Sequence, residues 1–529
     1  MERQVRTRLG EDTPELMRYR KYYENEFHKK WQPSSQADLW SQVAVSDVLL
    51  MGDFHALHQS QKAHVRILRG LPKERKKILA VEFFEAADQE KIDKFLSGRL
   101  SEKDFLKAVQ WQARWGFPWE HYRPILRWAQ KNKVPVVGLN RTYKKRTATT
   151  LKSRDVFAAK KISEQVRLHS EALVCVIYGD LHLAKEHIPA ELTRILGPAF
   201  AKKIFRLFQN SEKIYFQLLK NEQEGHADLI RLSRNAFCLM SVPPWVKWQN
   251  YLMYLEQAYD LGLSPEDFDD DDEEDDFLDF SDHIGRYVKI ISEELGQPVS
   301  TAGLSVYSAK DKSFWSQIKT VYDAKKLKWI ELLIAEEMSF YLPEAEIAYL
   351  ARPTVNHAAS LAMLYIHAQM SGQKKMIMDM PADFTRMIWS EGIAYFGSKI
   401  INHKRKTDTI TDIKSSLTSK GPIGLGKESL QLSLAQKMHE LMVITGSSRH
   451  RLAAKPKRKW SYVVAARLLG GILGERLYSG YRKKIVSPVT LLGLLRKPLD
   501  HESFSIAYYE IIEIIEALPV PFLSKKEKL

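Results

Sequence analysis

The sequence predicts an α/β N-terminal domain with a mainly parallel sheet flanked by helices, then an acidic linker and an α-helical C-terminal domain. Three observations predict it. Short apolar runs alternate with helical patterns up to about residue 245. A dense acidic run occupies 266–276. After 281, apolar residues recur at three- and four-residue intervals. A chain of 529 residues is also too long for one core.

Residues 1–40 read as an N-terminal helical segment, because "TPELMRYRKYYENEFHKKW" opens on Thr13-Pro14, a cap followed by a first-turn proline. The α/β domain spans 41–245. Its strands are "VLLM" (48–51), "ILAVEFF" (78–84), "VPVVGLN" (134–140) and "ALVCVIYGD" (172–180), apolar enough to be buried on both faces. "HQSQKAHVRILRGL" and "DQEKIDKFLSG" are helical stretches between them, and "KIFRLFQ" and "AFCLMSV" are edge or additional strands. Residues 246–280 hold a helix after a proline pair and then "SPEDFDDDDEEDDF", which self-repulsion makes a connector. It lacks the glycine and alternation of a calcium loop. Residues 281–529 form the helical domain, with "LKWIELLIAEEMSFYL" and "SFSIAYYEIIEIIEAL" among its helices and no motif to assign a purpose.

Composition narrows the classes. Only two cysteines occur, Cys175 and Cys238, both inside apolar runs, so a disulfide framework is excluded. The first residues carry no apolar h-region, and Arg467 and Glu475 interrupt the most membrane-like window, "YVVAARLLGGILGERLY". A soluble, cytoplasmic chain is expected. The formal charge of +15 attracts nucleic acid or an anionic membrane in principle, through "NHKRKTDT" (402–409) and "SSRHRLAAKPKRKW" (447–460). Lysine- and arginine-rich loops are nevertheless common without such partners, and a small-molecule ligand or metal is the expected partner. A homo-oligomer is left open.

The chemistry concentrates at strand ends. Gly52-Asp53-Phe54-His55 and Gly179-Asp180-Leu181-His182 repeat one figure, Gly-Asp-apolar-His. In a parallel sheet all strands deliver their C-terminal ends to one edge, where ligands bind. That edge collects Asp53 and His55, Glu82 and Glu85, Asn140, and Asp180 and His182. The glycines are expected to permit sharp exits, and each histidine to sit near a helix N-terminus that favours a neutral ring. Neutral imidazoles with a carboxylate can bind a metal or move a proton. His55, Glu82 and His182 are therefore the candidate catalytic residues and equally the candidate metal ligands. His58 and His64 read as helix-surface residues. His357 and His367, ten apart, do not share a helix face and read as core. "WQARWGFPWEHYRPILRWAQ" (111–130) either walls a flat ligand such as a porphyrin or packs aromatics onto the sheet.

Taken in order, "VLLMGDFHALHQSQKAHVRIL", "VEFFEAADQEKIDKFLSGRLSEKDFL", "WGFPWEHYRPIL", "VPVVGLN", "SRDVFAAKKI" and "VIYGDLHLAKEHIP" resemble the ChaN-like family, over roughly 40–225. Its superfamily includes TIKI-type and erythromycin-esterase-like proteins. The resemblance implies an α/β domain, with haem or iron binding in the namesake branch and metal-dependent hydrolysis more widely. It places the paired Gly-x-x-His elements on Gly52–His55 and Gly179–His182, the acid on Glu82, and an Arg-Asp pair on Arg154 and Asp155. Tyr122 and Tyr178 are candidates for a haem-ligating tyrosine by position, and Arg154 for orienting a carboxylate or receiving an anionic group. Asp155 also reads as a first-turn helix acid. Two departures stand out: the family's glutamate is shortened to Asp53, and its Asp-Asn after the first histidine is Ala56-Leu57 here. The expected cofactor is haem, iron or another divalent metal. The competing readings are a hydrolase using the same residues, and a non-catalytic protein interacting through its helical domain.

Overall fold

The computed structural model describes residues 1–8, 13–141, 148–225, 227–260, 280–308, 311, 313–418, 426–446, 455–499 and 504–518. The acidic run at 266–276 lies outside the described residues, as does most of the basic stretch 447–460. The chain divides into two compact units, Met1–Glu273 and Glu274–Lys528.

The first unit is built on an eight-stranded sheet. Its strands are β1 (Gln32–Pro33), β2 (Val48–Asp53), β3 (Lys77–Glu85), β4 (Val136–Asn140), β5 (Leu173–Gly179), β6 (Ile204–Gln209), β7 (Leu229–Ser233) and β8 (Ala236–Leu239). They lie in the order β1-β7-β8-β6-β2-β5-β3-β4. Every pairing from β8 to β4 is parallel, whereas β7 runs antiparallel to both β8 and β1.

Continuous apolar runs follow from burial on both faces. Along β2 and β5, Leu49, Met51, Cys175 and Ile177 face helices His58–Gly70 and Trp119–Lys131. The alternate residues Val48, Leu50, Val174 and Val176 face helices Ala148–Leu168, Ile188–Leu196 and Glu212–Lys220. The helix Pro14–Asn25 opens as its Thr-Pro predicts, with the Thr13 hydroxyl accepting from the Leu16 amide at 3.3 Å. Both cysteines are buried and free.

The second unit is mainly helical. Helices Phe384–Ile401 and Lys459–Arg482 cross closely, where a Cβ on Gly474 would lie 2.3 Å from the Gly392 carbonyl oxygen. One feature departs from the all-helical expectation. The tail of "LKWIELLIAEEMSFYL" leaves its helix at Ala335 and forms β10 (Phe340–Leu342), antiparallel to β11 (Ile347–Leu350), which pairs in parallel with β9 (Ser305–Ser308). Strands of three and four residues carry too little alternation to be read, and β9 finds its partner only through a long-range pairing. Among the described residues, no helix is long and apolar enough to cross a membrane.

β3 bulges between Val81 and Glu85, bringing its backbone over β4. A Cβ on Gly138 would meet the Glu85 carbonyl oxygen at 2.5 Å. Gly138→Ala is expected to destabilise the first unit by about 1–3 kcal/mol through backbone displacement, read as a lowered denaturation midpoint.

Candidate functional site

β2, β5 and β3 are neighbours, so the two Gly-Asp-apolar-His figures emerge side by side with Glu82 next to them. Register pairs Gly52 with Tyr178 and Asp53 with Gly179. The convergence is sharpest at Gly179. A Cβ built there would lie 3.4 Å from Glu82 Oε2, 3.4 Å from His182 Cδ2 and 3.5 Å from His55 Nε2. Three side chains from three strand ends thus surround one point.

Each imidazole is held from behind by a buried carboxylate. His55 Nδ1 donates to Asp53 Oδ2 at 2.8 Å, and His182 Nδ1 donates to Asp155 Oδ1 at 2.6 Å. An ionised carboxylate only accepts, so both Nδ1 atoms carry protons and both Nε2 atoms are left bare in the neutral rings. His55 Nε2 sits 3.7 Å from Glu82 Oε2. Glu82 is itself anchored by the Arg154 guanidinium on Oε1 and by the Gly179 amide, which donates to Oε2 at 2.6 Å. Burial pushes the Glu82 carboxyl up, but Arg154, the two histidines and the Gly179 amide outweigh it and hold the group below its ordinary range.

Asp53 is heavily hydrogen-bonded. Ser60, Gln61 and His64 donate to its Oδ1 at 3.0, 2.8 and 3.1 Å, and Tyr122 donates to Oδ2 at 3.1 Å beside His55. Burial opposes ionisation there, yet the histidine hydrogen bonds keep the carboxyl well below the usual carboxylate range. His64 corrects the surface reading, since it is 1% exposed and turned inward. His58 instead stacks on His121 at 4.3 Å. Sequence spacing contained this signal: Ser60, Gln61 and His64 lie on one helix face.

Gly52 acts by what it lacks. Neither Gly52 nor Gly179 adopts positive φ, so neither supplies the expected sharp exit, and at Gly52 a steric role replaces it. A Cβ on Gly52 would lie 1.6 Å from Asp180 Oδ1, because the Asp180 carboxyl fills that space. Asp180 accepts from the Tyr23 hydroxyl and from the Gln209 amide at 3.1 Å. Burial raises it to about 7 despite those donors.

Asp155 is not a first-turn acid. It lies well inside helix Ala148–Leu168, is 2% exposed, and bonds His182. Tyr19, which sequence reasoning did not single out, reaches the same pair from the helix Pro14–Asn25. Tyr122 and Tyr178 are both fully buried: the first donates to Asp53, and the second lies 5.9 Å beneath Arg154 with its edge to His182. Glu85 and Asn140 stand apart from the Gly179 point. Glu85 accepts from Arg114 at 3.1 Å, and Asn140 accepts from the Arg141 amide at 2.9 Å.

The tryptophan-rich window forms the short helix Trp111–Arg114 and the helix Trp119–Lys131. Trp111, Trp119 and Tyr122 pack into the sheet's aromatic core, while Trp115 and Phe117 flank the His55 ring at 4.6 and 5.2 Å. His55, with a fifth of its side chain exposed, is the most accessible member of the His55–Glu82–His182 group. Among the described residues, no three His, Cys, Asp or Glu side chains are disposed to hold a metal ion.

In the second unit, His367 is fully buried and pushed down to about 3 by that burial, as a core histidine. The basic stretch 402–409 is partly inward: Asn402 and Lys404 are buried, and Arg405 donates to Ser360 at 3.0 Å.

Comparison with known proteins identifies residues 39–153 with the family described as haem-binding uptake, Tiki superfamily, ChaN. The ChaN-like resemblance of the chain is therefore shown, on a segment that contains His55, Glu82 and Tyr122 and stops before Arg154, Asp155 and His182. No curated protein matches. Two solved structures are similar. One shows cofacial haem binding to ChaN of Campylobacter jejuni, with 16% identity over 34% of this chain and 88% of that one, at TM-score 0.27. The other is the type III effector HopBA1, with 13% identity over 40% of this chain and 96% of that one, at TM-score 0.28.

Two outcomes follow from the Gly52–Asp180 contact. Gly52→Ala is expected to cost about 2 kcal/mol or more. The double variant with Asp180→Ala should be more stable than the two single losses add up to, as a double-mutant cycle by denaturation would measure. Because the folded-state pKa of Asp180 is raised, its contribution is full below the ordinary value of 3.8 and is lost as pH rises through about 7. Asp180→Asn should accordingly flatten the fall in stability between mildly acidic and neutral pH.

Proposed function

We propose that the His/Glu edge of this ChaN-like domain is an acid–base site that hydrolyses a small-molecule substrate entering beside His55. The observation that carries the reading is the meeting of His55, Glu82 and His182 around Gly179, with each imidazole backed by a buried aspartate. A carboxylate on Nδ1 fixes the tautomer and leaves Nε2 to accept a proton, the arrangement that general-base catalysis needs. His55, the accessible ring, would take a proton from the attacking water and return it to the leaving group. Asp53 and the ionised Glu82 would stabilise the imidazolium formed in between. Arg154 keeps Glu82 in place and charged.

Carboxylate-backed histidines with bare Nε2 atoms also suit metal binding. His55, Glu82 and His182 offer the donor types a divalent cation takes, but among the described residues no three such side chains are disposed to hold one, so no step of this reading runs through a metal.

Haem binding is the second reading, favoured by the family identified over residues 39–153. Tyr122 and Tyr178 do not fit as iron ligands, since both are fully buried and the Tyr122 hydroxyl is committed to Asp53. His55, between Trp115 and Phe117, is the side chain that fits a flat ligand's edge.

The test uses the full chain with ester and peptide substrates, with and without added divalent metals, beside a haemin titration followed in the Soret region. Hydrolysis that falls by about 10²–10⁴-fold in His55→Ala and in His182→Ala, with folding kept, is the expected result. A Soret band lost only in His55→Ala, with no turnover, would favour haem. Turnover untouched by either substitution would remove the site, and silence in both assays would turn attention to the helical unit as an interaction module.

A further inference from the structure

Behind His182 lies a closed set of three hydrogen-bonding groups. Its Nδ1 is 2.6 Å from Asp155 Oδ1 and 2.8 Å from the Tyr19 hydroxyl, and that hydroxyl is 2.8 Å from Asp155 Oδ2. One proton arrangement satisfies all three. Nδ1–H donates to Asp155 Oδ1, Tyr19 O–H donates to Asp155 Oδ2, and a lone pair of the Tyr19 oxygen faces Nδ1–H. With the proton on Nε2 instead, a bare Nδ1 would face a carboxylate oxygen at 2.6 Å. Turning Tyr19 toward that nitrogen would then leave Asp155 Oδ2 without its tyrosine donor in a site that is 2% exposed.

The groups are also fixed in space. Tyr19 stacks on His187 at 3.6 Å and 8°. His187 is tied by its Nδ1 to the carbonyl of Leu181, the residue before His182. Tyr178 sets its ring edge-on to His182 at 4.9 Å, which limits rotation of the imidazole. Burial and the Asp155 charge push the Tyr19 hydroxyl far up, so it remains a donor. None of Tyr19, Asp155 or His182 lies within the segment matched to the family.

We propose that Tyr19, carried in by the helix Pro14–Asn25, is a positioning residue that fixes Asp155 against His182 and thereby holds the His182 tautomer with its proton on Nδ1 and Nε2 bare. The idea rests on the acid–base reading of the edge, but its decisive measurement needs no turnover.

The experiment is nitrogen NMR on the full chain labelled at histidine, under alkaline conditions where the rings are neutral, with His182 assigned by His182→Gln. In the wild-type protein His182 should show a protonated Nδ1 and a bare Nε2, with a cross-peak from the Nδ1 proton to the Tyr19 hydroxyl. In Tyr19→Phe a measurable share of His182 should move to the Nε2-protonated form while the other histidines keep their signals. Where a hydrolysed substrate has been found, kcat should fall about tenfold with KM changed less than about twofold. An unchanged His182 tautomer in Tyr19→Phe overturns the proposal, as does a wild-type His182 protonated on Nε2. Should Tyr19→Phe not fold, absence of the wild-type cross-peak overturns it alone. Absence of hydrolysis with the tautomer shift present would sink the catalytic reading and leave the positioning role standing.

Discussion

The site depends on one missing Cβ atom, that of Gly52. On adjacent strands, Gly52 and Gly179 leave two hollows where any other residue would place carbon. The Asp180 carboxyl fills the first, which locks the turn after β5 onto β2. The second is ringed by His55, His182 and Glu82. A methyl in the first hollow would displace Asp180 and, with it, the backbone that carries His182. Gly52 therefore serves proximity between strands rather than the bending of its own, while a Cβ on Gly179 would meet its three neighbours at ordinary contact distance.

Around those hollows the charges form a connected system. Buried carboxylates are costly unless every lone pair finds a donor. Asp53 meets that demand with five side chains, Glu82 with a guanidinium and an amide, and Asp155 with a histidine and a tyrosine. Such a network specifies geometry more than it adds stability, because its pairwise gains are offset by desolvation. What it secures is the orientation of two rings whose Nε2 atoms would otherwise be free to exchange roles with Nδ1.

Much of this was legible in the sequence. The apolar runs of β2, β3, β4 and β5 announce a sheet covered on both sides, and the repeated Gly-Asp-apolar-His announces two strand ends of one kind. That they become neighbours follows from β5 pairing with both β2 and β3, a matter of strand order that no local pattern encodes. His64 was misread because its partner, Asp53, precedes the helix and draws one polar face inward against the usual expectation. Asp155 was half-read, its helix beginning earlier than the Arg-Asp pair implied. Tyr19 was invisible: a tyrosine among several in an amphipathic helix gives no sign that it will bond a histidine 163 positions later. The small sheet β9–β11 was missed for the related reason that its strands are short and its pairing distant.

The place of the helix Pro14–Asn25 in the site has a practical consequence. Trimming this protein to residues 39–153, the segment that matches the family model, would retain one ring and the acid facing it, and discard the opposite ring together with both groups that steady it. A fragment chosen by family boundaries would be half a machine, and its silence in any assay would say nothing about the whole.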